Sequence, residues 1–78
     1  MIVKILGPGC RNCHALEERT REALTQLGLH AEIEAVTDYA EIARYGVMKT
    51  PGLVVDEEVL VAGKVPSAKE LARILAAR

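Results

Sequence analysis

The fold of this chain is decided by residues 2–13, which carry the sequence Ile2-Val3-Lys4-Ile5-Leu6-Gly7-Pro8-Gly9-Cys10-Arg11-Asn12-Cys13. The apolar run Ile2–Leu6 contains β-branched residues and ends at a Gly-Pro-Gly turn, which predicts a buried strand. Residues Arg11–Leu27 place their apolar side chains on one stripe, which predicts an amphipathic helix that ends at Gly28. Two cysteines, Cys10 and Cys13, therefore lie between a strand and the first turn of a helix.

Cys10 and Cys13 are the only cysteines of the chain, so any sulfur chemistry takes place through them. Two thiols three positions apart at a helix start can close a small disulfide ring and open it again. Backbone N–H groups and the helix dipole favour an anion at this point, so we expect the pKa of Cys10 to lie below that of a free cysteine, about 8.5. Arg11, Asn12 and His14 are candidate modulating residues, because Arg11 and a protonated His14 would lower that pKa by their charge.

Length and composition indicate one small domain spanning residues 1–78. Half of the residues are hydrophobic, but Trp and Phe are absent, so aliphatic side chains must fill the core. The net charge is −1 and no basic stripe is present, which argues against nucleic acid as a partner. No apolar stretch approaches the ~20 residues that cross a bilayer, and Lys4 interrupts the N-terminal apolar run. We expect a monomeric, cytoplasmic protein without a membrane partner.

The middle of the chain predicts a second strand and a second helix. Residues 31–36 alternate small or apolar residues with two glutamates, which favours a half-exposed edge strand. Asp38 is followed three positions later by Glu41, a spacing typical of a capped helix start. This short helix is expected to reach about Tyr45 and to end at Gly46.

The C-terminal part predicts a hairpin and a third helix. Residues 53–55 and 59–62 are predicted strands, and Asp56-Glu57-Glu58 is the predicted connection. Ser67 and Glu70 form a second capping pair, and the helix after it carries a predicted buried stripe of Leu71, Ile74 and Leu75. The predicted order is β-α-β-α-β-β-α: an α/β fold in which three helices flank both faces of a four-stranded mixed sheet. The first helix is a crossover, so the first two strands should be parallel.

These features together resemble the thioredoxin/glutaredoxin superfamily. The strand, the Gly/Pro turn and the Cys-x-x-Cys motif that opens a helix form one match. The segment Tyr45-Gly46-Val47-Met48-Lys49-Thr50-Pro51 forms a second, because it is similar to the thioredoxin segment in which a helix ends at Tyr-Gly before a cis-proline. The resemblance covers essentially the whole chain and is closest to the minimal thioredoxin-like redox-active disulfide proteins, some of which are archaeal.

The resemblance implies a thiol–disulfide oxidoreductase that reduces protein disulfides without a cofactor. It makes Cys10 the attacking catalytic cysteine and Cys13 the more buried, resolving one. It makes Pro51 a cis-proline beside the disulfide and gives the backbone of Thr50 the task of pairing with an extended substrate segment. It also implies protein disulfides as substrates and a dithiol reductase of the thioredoxin-reductase type as electron donor.

Several positions depart from the family patterns. Gly9 stands where thioredoxins usually carry an aromatic residue, and Arg11-Asn12 stands where they usually carry Gly-Pro. Lys4 occupies the approximate position of their buried acid, and we expect its ammonium to extend into solvent. Gly7 stands where glutaredoxins usually carry a charged residue, and the segment Ser67-Ala68-Lys69-Glu70 stands where they usually carry an acidic pair. These differences weaken the case for glutathione binding.

Two other functions fit the cysteine pair. The first is a soft-metal module for Cu or Zn that binds through Cys10, Cys13 and His14, although the chain offers no second ligand pair and its predicted order ends in a helix. The second is a redox-responsive interaction domain that switches without turnover. The string Cys-x-x-Cys-His also matches c-type haem attachment, but a strand leading directly into the motif argues against that interpretation. The chain is therefore predicted to hold no metal.

Overall fold

The computed structural model describes residues 1–9 and 11–77 of the chain. Its elements follow the order β-α-β-α-β-β-α, which confirms the predicted fold class. They are β1 (Ile2–Leu6), α1 (Arg11–Leu27), β2 (Glu32–Val36), α2 (Tyr39–Arg44), β3 (Gly52–Val55), β4 (Glu58–Ala62) and α3 (Ala68–Ala76). Across the described residues, no helix combines the length and apolar character needed to span a bilayer.

The four strands form one mixed sheet in the order β2-β1-β3-β4. β1 pairs with β2 in parallel, as a crossover through α1 requires, and pairs with β3 in antiparallel fashion. β3 and β4 form the predicted hairpin. β1 and β3 are therefore the central strands, and β2 is an edge strand as its glutamates indicated.

Helices cover both faces of the sheet, and each face has its own apolar cluster. On one face, α1 and α3 pack over the sheet with a cluster of ten buried residues: Val3, Ile5, Leu16, Ala23, Leu24, Leu53, Val55, Val61, Leu71 and Leu75. On the other face, α2 packs over a smaller cluster of Leu6, Ile42, Val47 and Val54. All four residues of β3 are buried, because this strand is covered from both sides.

The hairpin connection is shorter than the sequence predicted. Glu58 belongs to β4, so the turn consists of Asp56 and Glu57, with φ angles of 48° and 70°. Positive φ at both positions is the geometry of a type I′ turn, whose twist matches that of the flanking strands. The cost of the positive φ angle at Asp56 is offset in part, because its Oδ1 accepts a hydrogen bond of 2.9 Å from the backbone N–H of Ile2.

Both predicted helix caps are present. The Asp38 side chain accepts from the backbone N–H of Ala40 at 3.0 Å, and the Ser67 hydroxyl accepts from that of Glu70 at 3.2 Å. These bonds satisfy backbone donors that a helix start leaves without intrahelical partners. The first cap sets where α2 begins, and α2 in turn leads into the segment that carries Thr50 and Pro51.

Candidate functional site

Cys13 lies in the first turn of α1 and is only 4% exposed. It belongs to the buried stripe that continues through Leu16 and Thr20, which holds this face of the helix against the sheet. The Thr20 hydroxyl donates to the backbone oxygen of Leu16 at 2.7 Å, so the one polar side chain of the stripe is satisfied within the helix. The sulfur is therefore held by the core, as the predicted resolving position requires.

Gly7, the residue that follows β1, is in close contact with this sulfur. Its N–H donates to the oxygen of Val36 at 2.9 Å, which extends the parallel pairing of β1 and β2 by one step. A Cβ placed on Gly7 would overlap the Sγ of Cys13 and would lie 3.3 Å from the Cβ of Cys13 and 3.7 Å from the Cβ of Thr50. Only a residue without a side chain fits between the two segments. The sequence analysis predicted Gly7 only as a turn residue, because no local pattern indicates that tertiary packing brings it against the Cys13 sulfur.

The peptide bond between Thr50 and Pro51 is cis, as the family resemblance implied. Pro51 is buried, and its oxygen accepts a 2.8 Å hydrogen bond from the N–H of Gly63 in the segment after β4. The next residue, Gly52, opens β3 opposite Leu6. The predicted binding pair Thr50-Pro51 is thus anchored to the sheet on the same side of Gly7 as Cys13.

The surface around Cys13 and Pro51 is open. Pro8, Gly9 and Met48 are exposed, with Met48 at 95%. Thr50 is half-buried, and within residues 1–9 and 11–77 its backbone N–H and C=O make no hydrogen bond to another backbone group. An extended segment from another protein can therefore reach both the Thr50 backbone and the neighbourhood of Cys13.

The remaining predicted site residues precede or surround Cys13. Cys10 lies outside the described residues. Arg11, Asn12 and His14 are all exposed in the first turn of α1, close in sequence to both cysteines. Their predicted role as modulating residues stays a prediction.

Lys4 differs from its predicted arrangement, because its ammonium does not extend freely into solvent. It donates to the Tyr45 hydroxyl at 2.9 Å and to Glu57 Oε1 at 3.0 Å, while the Tyr45 hydroxyl donates to Glu57 Oε2 at 2.9 Å. We call these three residues the Lys4 triad. The bond to Tyr45, followed by that to Glu57, raises the pKa of Lys4, and the bonds from Lys4 and then Tyr45 lower the pKa of Glu57. The prediction was wrong because Tyr45 and the hairpin turn, distant in sequence, supply the partners.

The Lys4 triad lies toward the end of β1 that is remote from Gly7. Asp56, beside Glu57 in the turn, bonds with its backbone N–H to the oxygen of Ile2 at the start of β1. Thr20 is the one buried polar side chain among residues 1–9 and 11–77, so no buried carboxylate of this part of the chain lies beside Cys13.

The comparisons with known proteins agree with this arrangement. A family model described as a thioredoxin domain matches residues 1–76. A thioredoxin of Methanothermobacter thermautotrophicus is similar to this chain, with 41% identity over 75 residues that cover 96% of the chain and 97% of the relative. A thioredoxin of Methanocaldococcus jannaschii is 39% identical over 71 residues, which cover 91% of the chain and 81% of that relative.

The metal-binding alternative gains no support from these relatives, which are thioredoxins by name. The described ranges also contain no group of three or more His, Cys, Asp or Glu side chains placed to hold an ion.

Proposed function

This chain belongs to the thioredoxin family, whose members are thiol–disulfide oxidoreductases, and we propose that it reduces protein disulfides by dithiol exchange through Cys10 and Cys13. In this proposal Cys10 is the nucleophile and Cys13 the resolving thiol. Thr50 and Pro51 bind the substrate segment. Arg11, Asn12 and His14 modulate the reactivity of the thiols.

The exchange consists of two displacements at sulfur. The Cys10 thiolate attacks one sulfur of the substrate disulfide, forms a mixed disulfide and expels the other substrate sulfur as a thiolate, which takes up a proton. Cys13 then loses its proton and attacks the Cys10 sulfur, which closes the Cys10–Cys13 disulfide and releases the second substrate thiol. The substrate gains two electrons and two protons, and the protein dithiol is oxidised.

One observation carries this proposal: the buried Cys13 meets Gly7, and Gly7 in turn meets Thr50 of the cis Thr50-Pro51 bond. In the sequence, Cys10 follows Gly7 by three positions. A cysteine residue that is only 4% exposed is poorly placed to meet a folded partner first, which suits Cys13 to the resolving step. The exposed turn around Gly9 suits the first, intermolecular attack.

The backbone of Thr50 supports the proposed mode of substrate binding. With no backbone partner in the described part of the chain, its N–H and C=O can bond to an extended segment of the substrate. Such main-chain bonds provide affinity without requiring a particular substrate sequence. This fits a carrier that serves more than one protein.

Trapping tests the assignment of the two cysteines. A Cys13→Ser variant cannot resolve the mixed disulfide, so partners should remain attached to it and be released by dithiothreitol. A Cys10→Ser variant is the matched control and should retain almost nothing. Equal trapping by both variants, or trapping by neither, would contradict the assigned roles.

Turnover tests the electron donor. We propose that a dithiol reductase of the thioredoxin-reductase type returns the protein to its reduced form in the cytoplasm, where disulfides are rare and Cys-x-x-Cys pairs are usually catalytic. Insulin reduction coupled to NADPH should proceed with such a reductase and not with glutathione and its reductase. No turnover with either system, together with redox-dependent partner binding, would favour a non-catalytic switch instead.

A further inference from the structure

Three exposed cations lie on or beside the segments that form the site: Arg11, Lys49 and Lys64, which we call the cationic rim. Each lies on a different segment. Arg11 opens α1 two positions before Cys13, Lys49 immediately precedes Thr50, and Lys64 follows β4. Lys49 and Lys64 have no role in the exchange chemistry proposed above, and Arg11 enters it only through the effect of its charge on the thiols.

The structure brings these segments together. Lys49 lies over the backbone of Gly63, since a Cβ placed there would be 2.9 Å from the Cβ of Lys49. Lys64 is the neighbour of Gly63, whose N–H bonds to the oxygen of Pro51 at 2.8 Å. Gly63 thus links Lys49 and Lys64 to the cis-proline, while Arg11 lies in the first turn of α1, which also carries Cys13.

The charges of the rim are not neutralised by nearby carboxylates. Segments 7–14, 46–52 and 62–66 contain no Asp or Glu, although the whole chain has eleven acidic residues and a net charge of −1. Acids close in sequence to the three cations have other partners. Glu17 pairs with Arg21 at 3.2 Å, Asp56 accepts from the backbone N–H of Ile2 at 2.9 Å, and Glu70 pairs with Arg73 at 3.6 Å. The four ion pairs of the described residues use Lys4, Arg21, Arg44 and Arg73, and the Arg19 guanidinium donates to backbone oxygens.

We propose that the cationic rim selects disulfides whose flanking residues are Asp or Glu. This inference rests on the proposed reductase function and names the class of substrate that the site prefers. Opposite charges around a binding site raise the rate of encounter and orient the partner more than they raise affinity. A protein segment is the partner because Arg11 and Lys49 lie beside Cys13 and the Thr50 backbone in the sequence, and a disulfide-bearing extended chain can pair with that backbone.

Matched disulfide peptides test the selection. Three peptides share one internal disulfide and differ only in the residues beside it, which are Glu, Gln or Lys. Their second-order rate constants with the fully reduced protein are measured at ionic strengths of 0.01 M and 1 M, between which the Debye length falls from about 30 Å to about 3 Å. An opposite-charge pair at 4 Å in water is worth about a factor of five, so the Glu peptide should react at least about ten-fold faster than the Lys peptide at low salt. The ratio should fall toward one at high salt.

Charge reversal assigns the effect to the rim. Lys49→Glu combined with Lys64→Glu should abolish or invert the preference between the Glu and Lys peptides. Lys69→Glu is the matched control, because Lys69 is equally exposed and without an ion pair but lies in α3, outside the rim. This control should leave the ratio unchanged.

The outcomes separate the two proposals. Equal, salt-independent rates for all three peptides would overturn the rim inference and leave the reductase function intact. No reaction with any peptide would overturn both. If a single-stranded oligonucleotide slowed the reaction with the Gln peptide more than a disulfide-free Glu peptide of equal charge did, the rim would belong to a nucleic-acid partner and the inference would fall.

Discussion

At the residue scale, the site depends on the absence of a side chain at Gly7. Gly7 allows the end of β1 to approach the Cys13 sulfur and Thr50 together, and no turn geometry demands a glycine there, since its φ angle lies in the ordinary range. The sequence predicted Cys13 and the cis bond at Pro51 through motifs. It could not predict Gly7, because the constraint comes from three segments that meet only in the folded chain.

Gly7→Ala should destabilise the protein by about 1–3 kcal/mol, the usual cost of forcing an extra methyl group into a packed site. Urea unfolding of the reduced protein measures the loss. In a Cys13→Ala background the sulfur is gone, so the same substitution should cost clearly less. An identical cost in both backgrounds would show that Gly7 does not serve to accommodate the sulfur.

The Lys4 triad gives stability a defined pH dependence. Glu57 has a lowered pKa in the folded state, so its contribution is present above the unfolded value of about 4.3 and is lost as the pH falls through the lower folded value. The stability difference between the native protein and Glu57→Gln should therefore be largest near neutral pH and should shrink below about pH 4. Denaturant midpoints measured from pH 3 to pH 7 check this; a difference that grows on acidification would contradict the assigned ion pair.

At the scale of elements, apolar runs, helical stripes, alternation and capping spacings predicted all seven, and their boundaries were set by local chemistry. Helices α2 and α3 begin where Asp38 and Ser67 cap them. The hairpin was the exception, because the positive φ angles of Asp56 and Glu57 are unusual for residues other than glycine. A sequence without Gly in the turn favours a longer connection. The pairing of β3 with β4 and the contacts of the turn with β1 and Lys4 impose the tighter one.

Asp56 provides a test of how the turn is held. Asp56→Asn should be close to neutral, because Asn tolerates positive φ and its side-chain oxygen can still accept from Ile2. Asp56→Ala should cost about 1–2 kcal/mol through backbone strain and the lost hydrogen bond. Thermal unfolding of both variants provides the comparison. A loss as large for Asn as for Ala would mean that the carboxylate charge, rather than conformation and hydrogen bonding, dominates.

At the scale of the whole molecule, a small core must support a two-sided sheet. A chain of 78 residues has a typical unfolding free energy of about 4–12 kcal/mol. The larger cluster joins α1 and α3 to the sheet without any Trp or Phe. Aliphatic packing therefore carries most of the stability, and the composition alone predicted this.

Leu71→Ala should be among the most damaging single changes. Leu71 is fully buried between α3 and the sheet, and truncation of such a leucine costs about 2–5 kcal/mol. Ile74→Ala is the matched control on the same helix, because Ile74 is only partly buried and should cost less. Urea titrations that gave the reverse order would contradict the described orientation of α3.

The central place of β1 has a consequence for how the protein withstands heat. Because β1 is bonded on both sides, its amides should exchange with solvent more slowly than those of the outer strands β2 and β4. The loop to which we assign the redox chemistry continues directly from this central strand. Fraying at the margins of the sheet would thus leave electron transfer intact until the entire structure melts.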